Sequence, residues 1–145
     1  MFRAWASEAA DMLVLDTDTI SDYFRGEPAV VSRFQAQRPA GLGVPAIVEY
    51  ELRYGLLRLP PAAMKPRMAA LEQLLRPLHR LPFDSECAGH AARIRAALEA
   101  EGTPIGPHDL LIAATALRHQ AELVTRNTRE LARVPGLRCQ DWHKS

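Results

Sequence analysis

Residues 12–28 read MLVLDTDTISDYFRGEP. Met12 to Leu15 is a short apolar run without polar alternation, the pattern of a strand buried on both faces, as in a parallel sheet. It ends on Asp16, and Asp16-Thr17-Asp18-Thr19 offers several caps for a helix that Gly26 can end. A helix opening from the carboxyl end of a buried strand is the unit of an α/β fold. Ligands in such folds bind outside those strand ends, where Asp16 stands.

The same punctuation recurs downstream. Pro28 starts a helical stretch to about Gln37, with Val30, Val31 and Phe34 at helical spacing. A strand follows at Gly41–Val44, then helices over Ala46–Leu59 and Ala62–Arg76, the latter with a stripe of Met64, Met68, Leu71, Leu74 and Leu75. His79–Phe83 reads as a strand, Asp84 or Ser85 caps a helix ending at Gly102, and Pro107 opens another running to about Gln120. Glu122–Thr125 and Leu137–Gln140 read as strands around a short helix or turn from Asn127 to about Val134. Short strands alternating with helices predict a parallel sheet covered on both faces. No repeat or linker divides residues 12–142, which are read as one domain. Residues 1–11 carry no apolar core for a leader and read as a flexible extension before a start at Met12.

Composition narrows the function classes. The 145 residues are 48% hydrophobic and 24% charged, which fits a globular protein and argues against disorder or a disulfide scaffold. Eighteen Lys+Arg against seventeen Asp+Glu leave a net charge of +1, so binding nucleic acid by bulk charge is excluded and any such role must be local. Apolar runs are too short to span a membrane. Cys87 and Cys139 lie far apart with no CxxC, the usage of a reduced, cytoplasmic protein. Cys87 reads as a small buried hydrophobe.

Three carboxylates then stand out. Asp16 is a strand-end acid, although capping alone would explain it. Glu51 falls within ~60° of a helical stripe made by Ile47, Tyr50, Tyr54 and Leu57, at ~100° per residue. If that stripe faces the core, a carboxylate beside it must be paired or bound to metal. Asp109 opens the apolar helix DLLIAATAL behind the tight entry Gly106-Pro107-His108, where the helix dipole favours an acid. Converging, these acids would make a hard oxygen site of the kind that suits Mg²⁺ and phosphate esters. No HExxH, GxSxG, P-loop or GxGxxG competes. The five histidines are scattered, and of them His108 alone is placed to face such a site.

Four motifs in order complete the reading. LDTDTIS at 15–21, ELRYG at 51–55, GTPIGPHDLLIAATA at 102–116 and LVTRNTRELARVPGLRCQDW at 123–142 resemble the PIN-domain ribonucleases, and among them the VapC toxins of bacterial toxin–antitoxin pairs. The resemblance implies a three-layer α/β sandwich with a central, mainly parallel sheet. It implies that Asp16, Glu51 and Asp109 form an acidic triad, with Asp16 and Asp109 as principal Mg²⁺ ligands (Mn²⁺ as an alternative). Glu51 would bind a second ion or orient the attacking water. Members often carry a fourth acid where this chain has Asn127, which can ligate through its carbonyl but brings no charge. Asp18 stands where the motif usually has Asn, and Thr17 and Thr125 would support the site by hydrogen bonds. RNA as substrate, often tRNA, a VapB-type antitoxin and a homodimer are implied likewise. Arg25, Arg53, Arg126 and Arg129, near the acidic motifs, are candidate phosphate contacts.

Two other readings remain open on the sequence. A PIN-like binding module without efficient catalysis is kept alive by Asn127. A haloacid-dehalogenase-like phosphatase is suggested by Asp16-Thr17-Asp18. However, Ile20 stands where that family has Thr or Val, and Lys65 lies on a helix away from the motif.

Overall fold

The computed structural model describes residues 12–144, so the extension expected at 1–11 lies outside the described residues. Five short strands, β1 (Leu13–Leu15), β2 (Leu42–Pro45), β3 (His79–Leu81), β4 (Glu122–Val124) and β5 (Cys139–Gln140), form one sheet in the order β3-β2-β1-β4-β5. Every pairing is parallel. The connections carry helices α1 (Thr17–Phe24), α2 (Pro28–Gln35), α3 (Ala46–Leu57), α4 (Pro61–Leu75), α5 (Ser85–Ala100), α6 (Pro107–Arg118) and the single turn α7 (Thr128–Leu131). The expected α/β architecture is present, with element ends within a few residues of their sequence-derived positions. No helix among the described residues is long and apolar enough to cross a membrane.

The central strand explains the layout. Val14 and Leu15 have no exposure, because β2 and β4 flank β1 in the sheet and helices cover its faces. Gly43, beside Val14 in β2, has no room for a side chain: a Cβ there would fall 2.8 Å from Leu81 Cδ1 and 3.0 Å from Met12 Sδ. Local rules set the helix starts. Asp16 caps α1 by accepting from the Thr19 amide at 2.9 Å, and Asp84 caps α5 by accepting from the Cys87 amide at the same distance. Cys87 is fully buried and its thiol is pushed up by burial, as befits a small hydrophobe.

Helix α3 departs from its sequence reading. Val48 is its buried residue, and Ile47, Leu52 and Leu56 pack against the core. Tyr50, Tyr54 and Leu57 are instead 54%, 56% and 63% exposed. Apolar residues on two sides of one helix made the stripe ambiguous, and the longer-ranged packing selected the aliphatic side. Glu51 therefore sits between a buried and an exposed face. Its partial burial comes from neighbouring elements rather than from a core-facing stripe.

Candidate active site

The site lies where β1 and β4 end. The Asp16 amide donates to the Val124 carbonyl at 3.2 Å, and Thr19 Oγ1 donates to that carbonyl at 3.3 Å. The first turn of α1 is thereby pinned to the end of β4. Asp16 itself is only 7% exposed, and Thr125, the residue after β4, is fully buried and hydrogen bonds to it. The Asn127 amide donates to Thr125 Oγ1 at 3.0 Å, which folds the segment after β4 back over the site.

Each remaining acid arrives on a different helix. Glu51 of α3 accepts from Thr17 Oγ1 at 2.5 Å through Oε1, and its Oε2 lies 2.8 Å from His108 Nδ1. Asp109, in the first turn of α6, accepts from Asn127 Nδ2 at 3.2 Å. The same Nδ2 donates to Glu130 Oε2 at 2.8 Å, since a side-chain amide carries two hydrogens. Thr17 and Thr125 thus hydrogen bond to Glu51 and Asp16 respectively. Glu130 is the residue that sequence reasoning missed. Its signal was its place three residues after Asn127, where one helical turn brings it back beside that amide. Its charge reaches Asp109, which it helps to raise.

Electrostatics separate these acids from ordinary surface ones. Burial raises Asp16 above the usual aspartate range, against the hydrogen bonds of Thr125 and Thr19, and the charge of Asp18 adds to the rise. Asp109 is also raised, first by burial and then by the charges of Glu130, Glu51 and Asp18, while Asn127 opposes. Asp18, exposed itself, therefore acts on both. None of the leading influences on either acid is a cation. Among the described residues no three acids, histidines or cysteines are already closed at ligand spacing. The donor chemistry nonetheless fits a divalent ion. Two partly desolvated carboxylates, oxygen ligands only, gain most from a hard cation arriving with its own water.

The arginines divide. Arg53 is engaged by Glu49 at 2.8 Å and by Glu72, and Arg80 joins the same acids, so it is a structural pair rather than a phosphate contact. Arg25 lies 2.7 Å from Asp22 Oδ1, and Arg126, half exposed, 3.3 Å from Asp22 Oδ2. Arg129 is exposed on α7.

Comparison with known proteins places this geometry. The PIN domain family model matches residues 13–137. The chain is 33% identical to the tRNA(fMet)-specific endonuclease VapC of Salmonella typhimurium over 129 residues, covering 89% of this chain and 96% of that protein. It is also 33% identical to the toxin FitB of Neisseria gonorrhoeae, covering 91% and 99%. Among solved structures, DNA-bound VapBC from Salmonella typhimurium superposes with a TM-score of 0.83 at 33% identity over 90% of this chain and 98% of that one. FitAcB from Neisseria gonorrhoeae gives 0.86 at 29% identity over 92% and 100%. The chain belongs to the PIN-domain family and, within it, to the VapC ribonuclease toxins.

Proposed function

We propose that this chain is a Mg²⁺-dependent endoribonuclease, the toxin of a toxin–antitoxin pair, silenced by a VapB-type antitoxin. One observation carries the reading: four separate segments bring Asp16, Glu51, Asp109 and the Asn127–Glu130 pair to one end of the sheet, with no cation among the leading influences on Asp16 and Asp109. Such a concentration of carboxylate is costly unless it has a cation to hold.

Asp16 and Asp109 are the residues that would hold Mg²⁺, or Mn²⁺ in its place. The ion's chemistry is to polarise the phosphodiester and to acidify water. Glu51, held on both oxygens, orients the attacking water. Asn127 holds the Asp109 and Glu130 carboxylates on one amide, so that neither swings away. Hydrolysis by water leaves a 5′-phosphate and a 3′-hydroxyl, with no part for the ribose 2′-hydroxyl. The near-neutral net charge agrees with RNA held by local arginines, of which Arg126 and Arg129 flank Asn127. Transfer RNA is the substrate class to test first, because the Salmonella relative is named for one. A homodimer in the cytoplasm belongs to the same reading.

A groove of about 520 Å³ lies beside the site, lined by Phe24, Leu52, Leu56 and Leu59 and reaching Thr17 and Glu51. An antitoxin segment lying in it would abut Glu51.

The test is cleavage of total bacterial RNA by purified protein with Mg²⁺, with EDTA, and by an Asp16→Asn/Asp109→Asn double variant. Discrete metal-dependent cuts bearing 5′-phosphates, absent from the variant, are expected. Uncut RNA from folded, antitoxin-free protein would overturn the reading. Products ending in a 2′,3′-cyclic phosphate would overturn its mechanism.

A further inference from the structure

The two oxygens of Glu51 are met from opposite elements. Thr17 of α1 donates to Oε1, and His108, at the start of α6, meets Oε2 through Nδ1. An ionised carboxylate only accepts, so the hydrogen of this contact is carried by Nδ1 of His108. The imidazole is itself braced. Its ring stands edge-on to Tyr50, centroids 5.9 Å apart at 85°, and its backbone follows Pro107, whose φ is fixed. His108 is thus a strut between the acid of α3 and the helix start that carries Asp109.

The strut has a consequence for the reaction. A glutamate side chain has three rotatable bonds, and one hydrogen bond from Thr17 leaves the carboxylate free to turn about it. A second bond on the other oxygen, from a ring that rests edge-on against Tyr50 and follows a fixed Pro107, restricts that freedom. Orientation of this kind is worth much in catalysis, because displacements of about 1 Å at a reacting group can cost ~100-fold in rate.

We propose that His108 is a positioning residue for the hydrolysis, holding the Glu51 carboxylate through Nδ1 in opposition to Thr17. The proposal rests on the hydrolytic reading above and deepens it. It concerns the hydrogen bond and not the ring's bulk, and this separates three substitutions. His108→Asn places an amide donor where Nδ1 stood. His108→Phe keeps a ring against Tyr50 but has no donor. His108→Ala has neither.

The experiment measures kcat and KM of each variant on a cleaved RNA oligonucleotide in Mg²⁺, together with its thermal midpoint. Expected is a fall of about tenfold in kcat for His108→Ala and His108→Phe, with KM within about twofold, and recovery of most of it in His108→Asn. A second readout needs no catalysis. Two-bond ¹H–¹⁵N spectra of the ion-free protein should show His108 protonated at Nδ1 in the neutral ring, a pattern lost in Glu51→Ala. Wild-type kcat in His108→Phe, equal loss in His108→Asn, or an Nε2-protonated His108 in the wild type each overturns the assignment. A wild-type protein that cleaves no RNA defeats the hydrolytic reading and this proposal with it. An active one indifferent to His108→Phe defeats this proposal alone.

Discussion

Helix α1 carries two buried aspartates in opposite electrostatic states. Asp16, at its N-cap, is held above the usual aspartate range by burial, with only hydroxyl and amide donors against it and Asp18 adding to the rise. Asp22, 5% exposed, would also be raised by burial. Hydrogen bonds from His143 and Arg25 and the charges of Arg126 and His143 reverse that and hold it below the usual range. His143 Nε2 lies 2.5 Å from Asp22 Oδ2, and its Nδ1 lies 2.9 Å from Asp141 Oδ1. The same helix thus spends one aspartate on tying down the C-terminal segment and leaves the other uncompensated. An acid supplied with its own counter-charges is a structural part, and an acid raised by burial without them is the one to test for a cation.

The largest expected effect tests the uncompensated end. Asp16→Asn or Asp109→Asn should lower RNA cleavage by ~10³-fold or more, since a metal's charge stabilisation is worth several kcal/mol and ~1.36 kcal/mol is tenfold. Neither should lower the thermal midpoint, because each removes a desolvated charge and Asn still caps α1. A variant that is both inactive and markedly less stable would break the comparison.

The compensated end should behave in reverse. Asp22→Asn strips His143, Arg25 and Arg126 of their shared partner, and a loss of about 1–3 kcal/mol is expected in urea denaturation. Metal-dependent cleavage measured well below its midpoint should persist. Loss of cleavage in a folded Asp22→Asn protein would place Asp22 in the site.

Ion binding gives a smaller signal. Mg²⁺ at ten times its Kd should stabilise the wild type by about 1.4 kcal/mol and leave the Asp16→Asn/Asp109→Asn variant unmoved. Equal shifts in both would remove the cation from the comparison.

The pH dependence is the finest discriminator. A raised carboxylate favours the fold most below its unfolded pKa and costs stability as pH rises through its folded pKa. The stability advantage of Asp16→Asn over the wild type should therefore be present at neutral pH and vanish below about pH 3.9. Asp22 has the opposite sign: its contribution is present above the ordinary aspartate pKa and is lost as pH falls through its lowered one. Asp22→Asn should then approach the wild type in strong acid. Urea titrations across the acid range measure both.

Legibility from sequence followed the range of the interaction. Asp16 and Asp84 were readable as caps because the amides they serve lie three residues away. The triad was readable as a set of candidates because strand ends and helix starts are local features and the four motifs occur in order. Helix α3 was misread because both its sides are apolar and no local rule chooses between them. Arg53 was a candidate phosphate contact, yet Glu72, nineteen positions on, takes it. Glu130 was passed over because a single turn of helix carries too weak a pattern to show where its side chain returns.

The sequence by itself determined the alternation of buried strands and helices, the capping of α1, and the family to which those motifs belong. The first two rest on hydrogen bonds or periodicities within a turn or two of chain, and the third on the resemblance of four motifs in order. Only the tertiary structure decided that Thr17 and His108 share Glu51, that Asn127 joins Asp109 to Glu130, and that His143 reaches back across 121 positions to Asp22. Those contacts exist because a parallel sheet needs a long crossover between neighbouring strands. That requirement carries residues far apart in the chain to the same end of the sheet.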